Sequence, residues 1–408
     1  MVHLTSALLL AGLALALPVE EIQPPIVARQ TAVCAKADAT APSINSKTLP
    51  DPFTFWDGSK VATMDDWKCR QAQLQRALEQ TELGDYPGPP DSFQATMSGQ
   101  GLSMTIGVQG KTATFSAAVR KAGSGPSGAV IAYGGASVTV PSDVATITFS
   151  NDNFAQQQGQ GSRGKGIFYN LFGQSHSAGA LAAWAWGVDR VMDALEQLGA
   201  SATGIDPKRV AVTGCSRNGK GAFIAGALVK RIALTIPQES GSGGAACWRI
   251  SDDEKAKGKN IQHAGQIVGE NVWFSSRFNS WTSKISQDPV DHEALVALVS
   301  PRGLYIPEND IDWLGPVSTT GCMQAGQLIY KALGKAENMG FSLTGGHNHC
   351  QFPGSQGPEI NQFWSYFIQG GSNKPSVISK STANVNTQQW APWTLPTISG
   401  VYATDVKI

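Results

Sequence analysis

Between residues 177 and 228 the spacing of apolar side chains changes twice, and few folds survive both changes. In SAGALAAWAWGVDRVMDALEQLG (177–199), Leu181, Trp184, Val188, Met192, Leu195 and Leu198 recur at three- and four-residue steps. That spacing gives one apolar face of a helix, which Gly199 is suited to cap. RVAVTG (209–214) then runs apolar without a polar face, as a strand covered on both sides does. A small-residue helix begins after Ser216. AVIAYGG (129–135), RIALTIPQES (231–240), RGLYIPEND (302–310) and GFSLTGGHNHC (340–350) repeat the strand signal, and EINQFWSYFIQ (359–369) the helical one. Upstream, residues 65–88 have helical spacing and break at Gly and Pro, while FQATMSG, MTIGVQG and TATFSAAVR alternate as strands do. Strands alternating with helices predict an α/β protein with a mainly parallel, twisted sheet covered on both faces.

The chain has 408 residues, 41% of them hydrophobic and 15% charged, which is enough apolar material for a sizeable core. A formal net charge of zero gives no electrostatic pull toward nucleic acid or anionic membrane. An apolar stretch from Ala7 to Leu17 is too short to span a bilayer and carries an A-x-A ending at Ala14–Ala16. Residues 1–16 therefore read as a secretory signal. Residues 17–45, rich in Pro, Ala and Ser, read as a strap, and 46–400 as a single domain with neither repeat nor linker. Residues 401–408 form a tail, and Trp390 and Trp393 are expected to anchor the segment before it. The six cysteines are Cys34, Cys69, Cys215, Cys247, Cys322 and Cys350. In a secreted chain they suggest three disulfides, for which fifteen pairings exist, and spacing does not choose among them. Without paired C-x-x-C motifs they do not suggest a zinc site.

RVAVTGCSRNGKGAF (209–223) places Ser216 at a strand-to-helix corner. A serine hydroxyl needs exposure, a base and donors aimed at a developing oxyanion. A helix N-terminus supplies free N–H groups and a positive dipole end, and the backbone of Arg217 follows the serine as such a donor does. G-x-S-x-G would place glycine at 218; Asn218 stands there instead, followed by Gly219. Asparagine tolerates left-handed geometry, so the elbow is compatible with it. The base is expected after the last strand, where His347 and His349 are two residues apart and can face one way on an extended segment. A Cys215–Cys350 bond would hold the neighbours of Ser216 and His349 together. For the acid, Glu239 after one strand and Glu308, Asp310 or Asp312 after the next stand as equal alternatives. Lys220 lies one helical turn beyond Ser216 on the same face.

Taken together, VTGCSRNGKGA, IPQESGSGG, NVWFSSRF and TGGHNHCQFP resemble the fungal glucuronoyl esterases of carbohydrate esterase family 15, over about residues 34–400. The resemblance implies a secreted α/β-hydrolase, a three-layer sandwich needing neither metal nor cofactor. It implies cleavage of esters between 4-O-methyl-glucuronic acid on glucuronoxylan and lignin alcohols. It also implies Ser216 as nucleophile, His349 as base, Glu239 as acid and Arg217 at the oxyanion. Lys220, Gln262, Glu270 and Trp313 match the family's sugar-binding positions, and the implied disulfides are Cys34–Cys69, Cys215–Cys350 and Cys247–Cys322. A monomer is expected. The alternatives are an acetyl or feruloyl esterase on the same fold, or a non-catalytic glycan-binding protein. The latter would have no use for a base beside a serine.

Overall fold

The computed structural model describes Met1, residues 34–123 and residues 125–400. The signal at 1–16 apart from Met1, the strap up to residue 33 and the tail at 401–408 lie outside the described residues. Among the described residues ten strands form one sheet: β1 (Ser92–Ser98), β2 (Gly101–Val108), β3 (Lys111–Arg120), β4 (Ser127–Tyr133), β5 (Ala145–Phe149), β6 (Ile205–Cys215), β7 (Leu234–Gln238), β8 (Gly303–Glu308), β9 (Met339–Leu343) and β10 (Ile378–Lys380). Their order is β1-β2-β3-β5-β4-β6-β7-β8-β9-β10. Pairing is antiparallel from β1 to β5 and parallel from β5 through β10.

Alternate residues of the central strands feed different layers. Ala129, Ile131 and Tyr133 of β4, Val210 and Val212 of β6, and Leu304 and Ile306 of β8 pack into the core that holds Trp184 and Leu195. Val130, Ala211 and Tyr305 point the other way, onto Ile360, Phe363, Trp364 and Ile368. Two covered faces explain why these strands read as unbroken apolar runs rather than as alternation. β1 and β3, with alternating exposed positions, keep one wet face.

Several elements differ from the sequence reading. The helix at 177–199 runs as Ala180–Thr203, and Gly199, with φ 72°, makes an internal kink instead of the end. Gly204, at φ 73°, is the cap. The strand expected at 340–350 stops at Leu343, leaving the histidines on a loop. The sequence reading contains neither β5 nor the three-residue β10 as a strand. Trp390 is buried, and the tail segment is pinned where Leu49 N–H donates to Trp390 O at 2.8 Å and Trp393 Nε1–H to Leu49 O at 3.1 Å. Among the described residues no helix is long and apolar enough to cross a membrane.

Candidate active site

β6 ends at Cys215 and the helix Arg217–Leu228 begins two residues later, with Ser216 between them at φ 60°, ψ −126°. The corner is tight for a steric reason. A Cβ on Gly214 would lie 2.5 Å from Asn218 O, and one on Gly219 would lie 2.4 Å from Gln238 O. The second glycine of the elbow is thus one position later than G-x-S-x-G places it. The left-handed strain falls on Ser216 itself, whereas Asn218 is helical. Its Nδ2 donates to Tyr133 O at 3.1 Å and its Oδ1 accepts from Asn151 Nδ2 at 3.0 Å, tying the helix to the end of β4.

The neighbouring strand delivers the carboxylate. β7 ends at Gln238, and Glu239 follows at φ 45°, its N–H bonded to Pro307 O at 2.9 Å. The Glu239 side chain is buried, and Oε2 accepts from His349 Nδ1 at 2.7 Å and from the Cys350 N–H at 2.9 Å. A proton on Nδ1, directed at the carboxylate, leaves the lone pair of His349 on Nε2. That Nε2 is buried and has no hydrogen-bond partner. Such an imidazole can take a proton from a group brought to it.

A disulfide joins the two halves. Cys215 and Cys350 pair with Cα atoms 5.7 Å apart, and a ring nitrogen of His349 lies within 4.8 Å of the Cys215 sulfur. Cys34–Cys69 and Cys247–Cys322 form the other two bridges. Four non-glycine residues among those described have positive φ. Gln109 turns the β2–β3 hairpin; the others are Ser216, Glu239 and Cys350. Residues in such conformations cost about 1–3 kcal/mol each and persist where the surroundings over-determine them. Here the bridge and the carboxylate bond to Cys350 N–H do so.

The remaining positions singled out in the sequence gather around this centre. Trp313 meets the His349 ring edge-on, with centroids 4.8 Å apart. Its carbonyl accepts the Gln262 N–H at 3.2 Å, and Gln262 Nε2 donates to Glu270 Oε2 at 3.3 Å. Arg217 is exposed at the first turn of its helix. Lys220 is buried, with Nζ 2.5 Å from Ser240 O and 5.8 Å from the Trp273 ring centroid. Burial brings its ammonium down to about 8, against the opposing pull of Glu308 and Glu270.

Of the four alternative acids, Glu239 is the one in contact with His349. Glu308 turns beneath the Ser240–Gly241 backbone, where Oε1 accepts Ser240 N–H at 2.8 Å, Ser240 Oγ–H at 3.1 Å and Gly241 N–H at 3.3 Å. Burial, with the Glu239 charge adding to it, pushes this carboxyl up to about 8. Asp310 packs its carboxylate against Gly345.

A family model described as fungal glucuronyl esterase matches residues 104–334. The chain belongs to this family. This glucuronyl esterase relative is 59% identical, over 96% of its own length and 98% of the other's, to a 4-O-methyl-glucuronoyl methylesterase of Thermothelomyces thermophilus. Its fold superposes on the crystal structure of the glucuronoyl esterase from Sporotrichum thermophile with a TM-score of 0.87 and 60% identity, covering 88% of this chain and 99% of that one. A serine-to-alanine variant of the Sporotrichum enzyme, in complex with methyl 4-O-methyl-β-D-glucopyranuronate, matches at TM-score 0.86 and 60% identity over 88% of this chain and 98% of that one. The fold is that of the α/β-hydrolases, as the alternation of strands and helices leads one to expect.

Three residues near this centre have supporting contacts that the sequence did not show, Glu308 among them, which the sequence offered as a candidate acid. Asn309 sends Nδ2 toward Glu239 Oε2 at 3.5 Å. His292, buried, bonds Gly244 O through Nδ1 at 2.7 Å and Glu82 Oε2 through Nε2 at 3.0 Å, supporting the far end of the glycine-rich turn. Glu308 holds the near end. Each is distant in sequence from what it supports, so no local pattern marks it. Only the crowding of acids in PENDIDW hinted at Glu308.

Proposed function

We propose that this chain is a secreted serine-type carboxylic ester hydrolase acting on 4-O-methyl-D-glucuronoyl esters of glucuronoxylan, with lignin alcohols as leaving groups. The observation carrying the reading is the short Glu239–His349 contact with the unpartnered His349 Nε2, clamped by Cys350 to the residue before Ser216. The Sporotrichum complex supports the substrate class, since its ligand is a methyl ester of the same sugar acid.

In the proposed reaction His349 Nε2 takes the Ser216 proton as Oγ attacks the uronic ester carbonyl. Glu239 holds the imidazole in the required tautomer and stabilises its positive charge. The Arg217 N–H at the helix tip, with its guanidinium, stabilises the tetrahedral oxyanion. His349 then protonates the departing alcohol, leaving an acyl-enzyme on Ser216. Water, deprotonated by the same imidazole, releases the glucuronate. Lys220, Gln262, Glu270 and Trp313 bind the sugar; Lys220 keeps two N–H donors beyond the one aimed at Ser240 O. The apolar N-terminal stretch with its A-x-A ending, together with three disulfides, supports export to an oxidising compartment.

The test is a panel of benzyl glucuronate, benzyl galacturonate, acetyl-xylan and feruloyl esters. The proposal requires the highest kcat/KM on the glucuronate, raised further by a 4-O-methyl group. Faster release of acetate or ferulate would replace it with the other esterase reading.

A further inference from the structure

Among the described residues the buried Lys220 side chain has one hydrogen bond, from Nζ to Ser240 O at 2.5 Å. An ammonium carries three donors, so two remain, and the carbonyl that takes the first decides where they point. That carbonyl is held from behind. Ser240 O and Gly241 N–H belong to one planar trans peptide and face opposite ways. Lys220 takes the oxygen, and on the far side Glu308 Oε1 accepts Gly241 N–H at 3.3 Å. The same Oε1 accepts Ser240 N–H at 2.8 Å and Ser240 Oγ–H at 3.1 Å, while Ser240 Oγ accepts Ala245 N–H at 3.0 Å. The turn is close-packed: a Cβ on Gly244 would lie 2.4 Å from Ser240 Cβ, and one on Gly243 would lie 3.3 Å from Lys220 Cδ. Glu308 is the last residue of β8, and its own carbonyl accepts Thr344 N–H at 3.0 Å. Its Oε2 is buried with no hydrogen-bond partner. Oε1 accepts whether or not Oε2 carries a proton, so the grip on the peptide does not depend on charge.

We propose that Glu308 is a positioning residue for sugar binding, which fixes the Ser240–Gly241 peptide so that its carbonyl aims the Lys220 ammonium at the substrate. The inference rests on the reading of Lys220 as a sugar-binding residue. Glu308 touches no reacting atom in this role. It holds three donors of one turn on one oxygen, and those three bonds leave the Ser240 carbonyl a single direction. Without them the peptide can rotate, and Lys220 follows its only hydrogen-bond acceptor away from the sugar. The acid that the sequence offered as an alternative to Glu239 thus serves the other half of the site, substrate binding in place of proton transfer.

A double-mutant cycle on benzyl glucuronate tests this. Glu308→Ala should raise KM about tenfold, the size of one lost charge-assisted hydrogen bond, with kcat within about twofold of the parent. In a Lys220→Ala background the same change should add nothing, because the ammonium it aims is gone. Glu308→Gln retains an oxygen at the Oε1 position and should bring KM back to near the parent's. Ser240→Ala, which removes one of the three bonds to Oε1, covers the case in which Glu308→Ala does not fold. It should give a smaller rise in KM, again absent without Lys220. A rise in KM that multiplies with that of Lys220→Ala overturns the proposal. So does a fall in kcat at unchanged KM, which would place Glu308 behind Glu239. An unchanged KM in Lys220→Ala alone would instead overturn the reading of Lys220, and it appears without any change at Glu308, so the two failures are distinguishable.

Discussion

Oε2 of Glu239 lies 2.7 Å from Nδ1 of His349, and it also accepts the N–H of the next residue, Cys350, at 2.9 Å. One oxygen therefore orients the imidazole and anchors the backbone that carries it. The carboxylate stands on a strand end, at φ 45°, and the histidine on a loop more than a hundred residues later. Glu239→Gln should keep the shape but offer the ring an ambiguous partner. We expect kcat to fall by about 10⁴-fold, the size found when the triad aspartate of trypsin is made asparagine. Asp310→Ala should stay near the parent. Steady-state kinetics on benzyl glucuronate decide it, and a larger loss from Asp310→Ala would transfer the role of acid.

The Cys215–Cys350 bridge encloses a separation of 135 residues. Replacing both cysteines with serine should lower unfolding free energy by roughly 5 kcal/mol on the chain-entropy account, with strain and residual structure reducing that figure. Turnover should fall as well, because the bridge is what holds the Ser216 and His349 segments together. Denaturant melts and kinetics on the same protein give both readouts. Lost stability with unchanged kcat would show that the Glu239 bonds alone hold the loop.

For the oxyanion role proposed for Arg217, Arg217→Ala removes the guanidinium and keeps the N–H. The expected effect is a drop in kcat of about 10²–10³, the range for losing one oxyanion donor, with KM little changed. A rise in KM alone would place Arg217 with the sugar-binding residues.

The fold was legible where a strand is long and covered on both faces, as in β4, β6 and β8, because buried layers demand apolar residues on both sides. It was obscure where an element is short or its end is set by tertiary contacts. Gly199 looked like a cap and is a kink because the helix resumes against Lys121 and β4 before Gly204 ends it. Ser216 and the histidine pair were readable from local chemistry. The choice of Glu239 over Glu308 was not, because both follow strands and both are buried. What separates them is direction: one carboxylate meets His349, and the other meets two backbone N–H groups.

That second carboxylate makes a pH prediction. The Glu308 carboxyl is raised from 4.5 to about 8, first by burial and then by Glu239. Between those values the unfolded chain has released the proton and the folded chain still holds it, so stability falls as pH rises through that window. Below 4.5 the penalty is absent, and above about 8 it is complete. Glu308→Gln keeps an acceptor for Ser240 N–H and cannot ionise. Relative to the parent it should therefore gain stability on going from pH 5 to pH 9, by on the order of a few kcal/mol. Denaturant midpoints at both pH values check this. A parallel pH response in the two proteins would contradict it.

We propose Ser216 as the nucleophile activated by His349. Treating the folded enzyme with a fluorophosphonate and mapping the adduct by mass spectrometry, while following benzyl glucuronate hydrolysis, tests it most directly. We expect one equivalent of label on the Ser216 peptide, loss of activity in step with labelling, and neither label nor turnover in Ser216→Ala. Label on another serine, or a Ser216→Ala protein that still turns over substrate at the parent rate, would contradict it.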